Sequence, residues 1–387
     1  MNKINKDWKE VKLGDIGVFL RGFGISKKDL SDSGTPAIRY GDIYTKYDFI
    51  IKNISSFTNS KGTELKKGDI LFAGSGETIA EIGKSVAFID DFKALAGGDI
   101  IIFRPSIELD SAFLSYMLNT GKCRRDISVM GQGVIIAHIS SKSLQKLSVF
   151  LPSLDEQKRI ASALSKIDAY LENTIKLIEE KERFKRGIAK KLLTCKEGEN
   201  IPEARFKGFE GKWETKALNS ISNIKKGEQK NKLDLIADGK YPVLNGGMNF
   251  SGYCNSYNRE ANTITISEGG NAGYVNFIKE KFWSSGHCYT LHDLKIDKYF
   301  LYQCLKNSEK RLMKLQLGTA LKNIRQSEIV EFELNIPKSI KEQEKIGGYL
   351  SLLDEEIDNL KKQKELIKEM KRGAMQKLLS GEVRLLE

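Results

Sequence analysis

The residues of this 387-residue chain best suited to chemistry are three histidines, five cysteines and a few polar stretches set among glycines. Gly83-Lys84-Ser85 has the ending of a phosphate-cradling loop, in which backbone amides curl round the phosphates and the lysine neutralises them. That loop requires glycine at position 78, where Thr78 stands, and the residues after Ser85 read as strand rather than helix. Gly22-Phe23-Gly24, Gly74-Ser75-Gly76 and Gly131-Gln132-Gly133 each lack the third glycine of the dinucleotide fingerprint. His287, Cys288 and His292 could begin a metal site, but no fourth ligand and no structural-zinc spacing accompanies them. His138 has no nucleophile beside it to activate and no acid to orient it. The Asn-Pro-Pro-Tyr or Asp-Pro-Pro-Tyr tetrapeptide that grips an exocyclic amine in amino-methyltransferases does not occur. The sequence gives no sign of catalysis.

Composition points to a binding role. A hydrophobic fraction of 40% and a charged fraction of 29% indicate a soluble globular protein, long enough for two cores. The net charge is +12, which favours a polyanionic partner, most often nucleic acid. The odd, scattered cysteines (Cys123, Cys195, Cys254, Cys288, Cys304) suit free thiols in a reducing compartment. No apolar run reaches membrane-spanning length, and residues 1–10 are polar, unlike a signal peptide, so a cytoplasmic location away from membranes is expected.

The elements that position any site come in pairs. Leu151-Pro152-Ser153-Leu154-Asp155-Glu156-Gln157 opens a stretch that recurs, from Glu156 on, at an offset of 186: Glu156-Gln157 falls on Glu342-Gln343, Asp168 on Asp354 and Lys185-Arg186-Gly187 on Lys371-Arg372-Gly373. Each copy predicts one long helix. Ser153 with Glu156, and Ser339 with Glu342, have capping-box spacing just after a proline. Steps of four and three then pick out Ile160, Leu164, Ile167, Leu171, Thr174 and Ile178, and in the second copy Ile346, Leu350, Leu353, Ile357 and Leu360. This is a coiled-coil seam, interrupted by Lys181 and Lys185 in one helix and by Lys364 and Lys371 in the other. The two copies are expected to pack on each other, antiparallel, as rods on the order of 60 Å long. The helices carry +4 (residues 155–196) and +1 (338–387), so most of the excess charge lies elsewhere.

The repeat extends into the flanking globular parts. Trp8, Leu13, Ile16 and Gly22 recur as Trp213, Leu218, Ile221 and Gly227, and Asp110, Phe113, Arg124 and Gly131 recur as Asp297, Phe300, Arg311 and Gly318. Drift in the offset leaves about 19 extra residues in the first copy between Gly41 and Asp110, and two between Gly131 and Ile139. Strands are expected at 16–20, 37–40, 69–73, 85–89, 99–103 and 147–151, then at 221–224, 241–244, 262–267, 273–278, 288–291 and 330–336. One helix interrupts each set, at 111–119 and 298–307, capped by Asp110 and Asp297. Residues 195–212 read as a connector pinned to a surface.

Two diverged β-rich parts alternate with two similar helices, Trp-x-x-x-x-Leu-x-x-Ile opens each half, and Ile201-Pro202-Glu203-Ala204-Arg205-Phe206-Lys207-Gly208-Phe209 leads into the second. In this order the chain resembles, over essentially its whole length, the specificity subunit of type I restriction–modification enzymes. The resemblance implies an α+β fold with a pseudo-two-fold internal repeat: target-recognition domains at 1–151 and 200–336, and long helices with their connector and tail at 152–199 and 337–387, packed as an antiparallel coiled coil. It further implies that each domain reads one half of a split, asymmetric target in double-stranded DNA, and that the helices set the spacing between halves. Two methyltransferase subunits and two restriction (translocase) subunits are the implied partners. The chain itself would hold no cofactor, with S-adenosylmethionine, ATP and magnesium on the partners. The first half opens almost at Trp8, with no counterpart of the 201–209 lead-in. The competing reading is a scaffold or adaptor whose basic surface is incidental.

Base edges are read best by Arg, Lys, Asn and Gln, and phosphates are held by Lys, Arg and backbone amides. Near predicted strand ends and glycine loops, the candidate DNA contacts in the first domain are Arg21, Lys27, Lys28, Arg39, Tyr40, Ser75, Gln132 and His138. In the second they are Lys225, Lys226, Lys230, Asn245, Asn249, Tyr253, Lys322, Asn323 and Arg325. Arg39, Gln132, Asn245 and Lys322 stand out, because each lies beside a position repeated in both halves (Gly41, Gly131, Gly247, Ile324) while differing between them.

Overall fold

The periodic seam becomes two continuous helices, Leu154–Leu193 and Ile340–Leu378. The computed structural model describes residues 7–78, 80–133, 137–196, 198–318 and 322–385. It divides into two compact units, Met1–Thr174 with Gln363–Glu387, and Ile175–Lys362. Each unit therefore owns one β-rich part, the start of the helix that follows it and the end of the other long helix.

Within each unit the helix segments run antiparallel, and three of the four lysines that interrupt the seam find acids on the facing helix. In the first unit Lys371 Nζ lies 2.5 Å from Asp168 Oδ1. The contact is a Coulombic one, off the line of a directed hydrogen bond. Asp168 also accepts from the buried Tyr116 hydroxyl at 2.5 Å. In the second unit Lys185 pairs with Asp354 at 2.5 Å and Lys181 with Glu356 at 2.6 Å, while Gln303 donates to Asp354 at 2.7 Å. Lys364 differs, pairing with Glu365 of its own helix. The repeat thus carries an Asp, a Lys and a domain-side donor (Tyr116 or Gln303) in corresponding places.

The Glu-Gln pair at each helix start has a purpose that spacing alone did not show. Gln157 accepts from the Asp110 backbone N–H and donates to the Pro152 carbonyl, both at 3.0 Å. Gln343 does the same with Asp297 and Pro337, at 2.9 and 2.8 Å. It ties the last strand of the domain to the capped helix beside it. The expected capping box is only half present. Glu156 N–H does bond Ser153 Oγ, at 3.3 Å, but both glutamates turn their carboxylates to an arginine instead of back to the cap. Glu342 takes a two-pronged pair from Arg205 (2.8 and 2.7 Å) and a bond from Trp213 Nε1.

Glu156 takes the equivalent pair from Arg384, at 2.6 and 2.8 Å. Val383 N–H bonds the Lys377 carbonyl as Ala204 N–H bonds that of Lys191. Leu385 packs on the first core as Phe206 does on the second. The segment after the second long helix thus does for the first half what the 201–209 lead-in does for the second, and Glu382-Val383-Arg384-Leu385 repeats the pattern of Glu203-Ala204-Arg205-Phe206.

The sheets follow the duplication. Lys9–Lys12 pairs antiparallel with Ser148–Leu151, and Glu214–Ala217 with Glu333–Ile336. In the first unit one five-stranded sheet is ordered Gly17–Arg21, Ile100–Pro105, Ile70–Ala73, Ser85–Phe88, Ile50–Ile51, beside a second sheet of five short strands. The second unit has four strands, Asn223–Lys226, Cys288–His292, Thr263–Ser267 and Val275–Ile278, beside three. Trp8, Phe72, Phe103 and Phe113 centre the first core, into which Ile160 and Leu164 enter from one long helix and Met375 and Leu378 from the other. Trp213, Ile266, Phe300, Leu350 and Leu192 do so in the second.

Several expected elements shift. Strand 37–40 ends at Ile38, and Tyr40–Thr45 is a helix, started by a hydrogen bond from the Arg39 backbone N–H to Asp42. Strand 221–224 becomes the helical turn Leu218–Ile221 followed by Asn223–Lys226, and Val330 ends the helix Gln326–Val330. Each set holds more than one helix, because Gly121–Val129 and Glu309–Met313 follow the expected ones. Short helices bury one or two side chains each and leave little periodic trace. Gly83-Lys84-Ser85 is a turn into a strand. Gly83 (φ 68°) sits where a Cβ would stand 2.6 Å from Ile127, and Gly273 (φ 87°) makes the matching turn. Lys84 Nζ donates to the Tyr47 carbonyl at 2.6 Å.

Candidate nucleic-acid interface

In the first unit, strand pairing sets Arg21 opposite Ile101. Gly22 follows because a Cβ there would come 1.9 Å from the Gly97 carbonyl. Gly74 N–H bonds the Asp99 carbonyl (2.8 Å), and Ile139 N–H bonds that of Gly74 (3.0 Å). Ala137–His138 then pairs with Ser75–Gly76, while Gln132 and His138 exchange backbone bonds at 2.9 and 2.7 Å. These strand ends enclose an open cleft of about 530 Å³ lined by Arg21, Ser75, Asp99, Gln132 and His138 among others. His138 Nδ1 and Ser75 Oγ are 3.0 Å apart. Four of the eight candidates of the first domain are thereby brought together from four separate segments.

The other four lie outside the lining of that cleft. Lys27 and Lys28 are exposed on the turn Lys27–Asp29. Tyr40 is exposed at the start of its helix. Arg39 is three-quarters covered and directed at the buried Asp42, 3.4 Å away. Tyr44, from the same helix, donates to the Ser75 carbonyl at 3.0 Å.

The second unit repeats four of the bracket's backbone bonds, without a described counterpart of the Ser75–Gly76 strand pair. Lys226 stands opposite Tyr289. Glu268 N–H bonds the His287 carbonyl and Ile324 N–H that of Glu268, both at 2.9 Å, and Leu317 and Asn323 exchange backbone bonds. Glu268 thus takes the place of Gly74, Gly269 that of Ser75, His287 that of Asp99 and Asn323 that of His138. Asn323 Oδ1 lies 2.6 Å from where a Cβ on Gly269 would be.

Glu268 Oε1 accepts from Lys226 Nζ (2.6 Å) and from the Tyr289 hydroxyl (2.9 Å). Among the described residues Oε2 faces only His287 Nδ1, at 3.4 Å. Burial raises the Glu268 carboxyl, but the bonds from Lys226 and Tyr289 and the nearby positive charges outweigh it and hold the group below its ordinary value. Burial first, then the bond to Glu268, pushes the Tyr289 phenol up. The turn that follows Asn245 comes close here too, since a Cβ on Gly246 would meet the Gly269 carbonyl at 2.8 Å and that of His287 at 3.0 Å.

Of the remaining candidates, Lys225, Asn249, Tyr253, Lys322 and Arg325 are exposed. Lys230 Nζ stands 3.7 Å from the centroid of the Trp283 ring. Asn245 keeps a buried Oδ1 with no hydrogen-bond partner among the described residues. Sequence reasoning missed Asp99, Glu268 and Tyr289, and it considered His287 only as a metal ligand. The one available signal was the alignment of Gly74-Ser75-Gly76 with Glu268-Gly269-Gly270, which the drifting offset concealed. Among the described residues no three His, Cys, Asp or Glu side chains gather as a metal site. No helix among them is long and apolar enough to cross a membrane.

Comparison with known proteins bears on this arrangement. The model of the type I restriction modification DNA specificity domain matches twice, at residues 5–180 and 210–369. A relative named as a type I specificity subunit of Mycoplasma pneumoniae is 40% identical over 151 residues, 38% of this chain and 40% of that protein. The chain thus spans less than half the length of that relative, and 45% of a similarly named one from Mycoplasma genitalium. The specificity subunit of a type I restriction enzyme of Methanocaldococcus jannaschii is 25% identical over 99% of this chain and 94% of its own. In fold, the chain is similar to the crystal structure of a type I restriction-modification S subunit from M. genitalium, with a TM-score of 0.70 at 21% identity over 98% of this chain and 97% of the other.

Proposed function

Since this chain belongs to the type I restriction modification DNA specificity family, we propose that each of its units reads one half of a split, asymmetric sequence in double-stranded DNA. The paired helices fix the spacing between the halves and dock two methyltransferase subunits, and two restriction (translocase) subunits complete the assembly. S-adenosylmethionine, ATP and magnesium belong to those partners, and this chain supplies recognition without chemistry. The cytoplasm, where such partners would meet DNA, is its place of action.

One observation carries this reading: two units share the same core set of backbone bracket bonds and carry unlike side chains on it. A single scaffold with two readouts is what an asymmetric target asks for. The net charge of +12 suits a phosphate backbone. Phe184 and Met370, at corresponding places on the two long helices, are 53% and 51% exposed and offer apolar ground for docked subunits.

The test is to assemble the chain with a modification subunit and map methylated adenines in the modified DNA. A two-part motif with unlike halves and a fixed gap is expected. A continuous motif, or methyl transfer by the chain alone, would defeat the proposal. A near-zero slope of log K against log salt for the complex would favour a scaffold with incidental charge.

A further inference from the structure

The scaffold side of the bracket is the same in both units, and the presented side is not. Gly22 and Gly227 make the same close approach, Gly83 and Gly273 the same left-handed turn, and Ile139 and Ile324 the same buried anchor. The residues set on the bracket are exchanged: Arg21 for Lys226, Gly74 for Glu268, Ser75 for Gly269, and His138 for Asn323. A purely structural network would be expected to keep its hydrogen-bonding groups along with its backbone.

Each set is also arranged to keep a group available. In the second unit Lys226 and Tyr289 both bond Glu268 Oε1, which holds the carboxylate still. Among the described residues Oε2 has only the long approach of a half-exposed His287. A carboxylate oxygen has two lone pairs and can only accept, so it is suited to an exocyclic amine on a base edge. In the first unit Ser75 engages His138 Nδ1. No described residue bonds the other ring nitrogen, which lies in an exposed side chain beside Arg21 and Gln132 in the cleft.

We propose that this bracket is the base-reading pocket of each unit. Ser75 and His138 select the base in one half-site. Glu268 with Asn323 selects an amine-bearing base, cytosine or adenine, in the other.

This rests on the functional reading above, and the experiment separates the two. The assembled methyltransferase carrying Glu268→Gln, and separately His138→Ala, is given DNA randomised across the target, and the methylated products are sequenced. Glu268→Gln is expected to relax or change preference at one position of one half-site, by roughly tenfold or more. His138→Ala should do so in the other half-site, with the untouched half and the gap preserved. An unchanged motif in both variants, or an even loss over all sequences, overturns the assignment. If the wild-type assembly modifies no split target at all, it is the function that fails. Should Glu268→Gln melt below the wild type, Asn323→Ala probes the same half-site and leaves Lys226 its partner. A motif unmoved by that change overturns the assignment equally.

Discussion

At the root of each long helix the two copies agree almost atom for atom, whereas at the cleft they agree only in backbone. In the root, Glu, Gln, Asp and Lys recur with their partners, and the arginine recurs in the segment that follows the other long helix. In the cleft, an acidic side chain in one copy answers to no side chain at all in the other. A side chain whose partner is internal is constrained by that partner. One whose partner is outside the molecule is free to differ when the two external partners differ.

The largest effect expected from breaking this contrast is at the root. Glu342→Ala leaves Trp213 Nε1 without its acceptor and Arg205 with only the Glu210 and Gly211 carbonyls, at a site where the carboxylate is 2% exposed, and should cost about 3–5 kcal/mol in the second unit. Calorimetry should show that unit's transition falling well below the other. Glu156→Ala should cost less in the first unit, since Trp8 Nε1 has no hydrogen-bond partner to lose among the described residues. Equal losses would mean that the two roots are held by something other than these bonds.

Next comes the interhelical pair. Lys371→Met strands a buried Asp168 and should cost about 3 kcal/mol, while Asp168→Leu with Lys371→Leu should recover most of it. If the double variant is no more stable than the single one, the pair is more than a charge needing a countercharge. Lys185→Met should cost less, because Asp354 is more exposed, at 30% against 11% for Asp168.

Smaller still, His138→Ala in the exposed cleft should change stability by less than about 1 kcal/mol, even as it alters modification at one half-site. A large destabilisation there would erase the distinction between root and cleft.

The smallest effect is one of pH. Glu268 is held below its ordinary value in the folded chain, so its contribution is present above the unfolded value and lost as pH falls through the folded one. Thermal unfolding of wild type and Glu268→Gln should therefore differ at neutral pH and converge on acidification below about pH 4.5.

The long helices were legible because a seam keeps its period over many turns, and its lysines showed as interruptions. Their acids did not show, since Asp168 and Lys371 lie 203 positions apart and periodicity carries no information about facing chains. The helix Tyr40–Thr45 was hidden by its brevity and by a β-branched neighbourhood. The cleft was half legible: Arg21, Ser75, Gln132 and His138 were found through the glycines beside them. Glu268 was not, because in Ser267-Glu268-Gly269 it looks like any loop acid, and only the bond from Ile324 N–H reveals which residue of the other copy it replaces. Arg39 looked like a free base-reader, whereas the helix after it supplies Asp42 as an internal partner.

The first unit draws Met375, Leu378 and Leu385 into its core and Arg384 onto Glu156. During synthesis, then, its opening sheet must wait through nearly two hundred further residues before those pieces leave the ribosome. The second unit, by contrast, ends at Lys362. The part translated first is the part completed last, and a chain cut before Met375 would spare the later reader while leaving the earlier one unfinished.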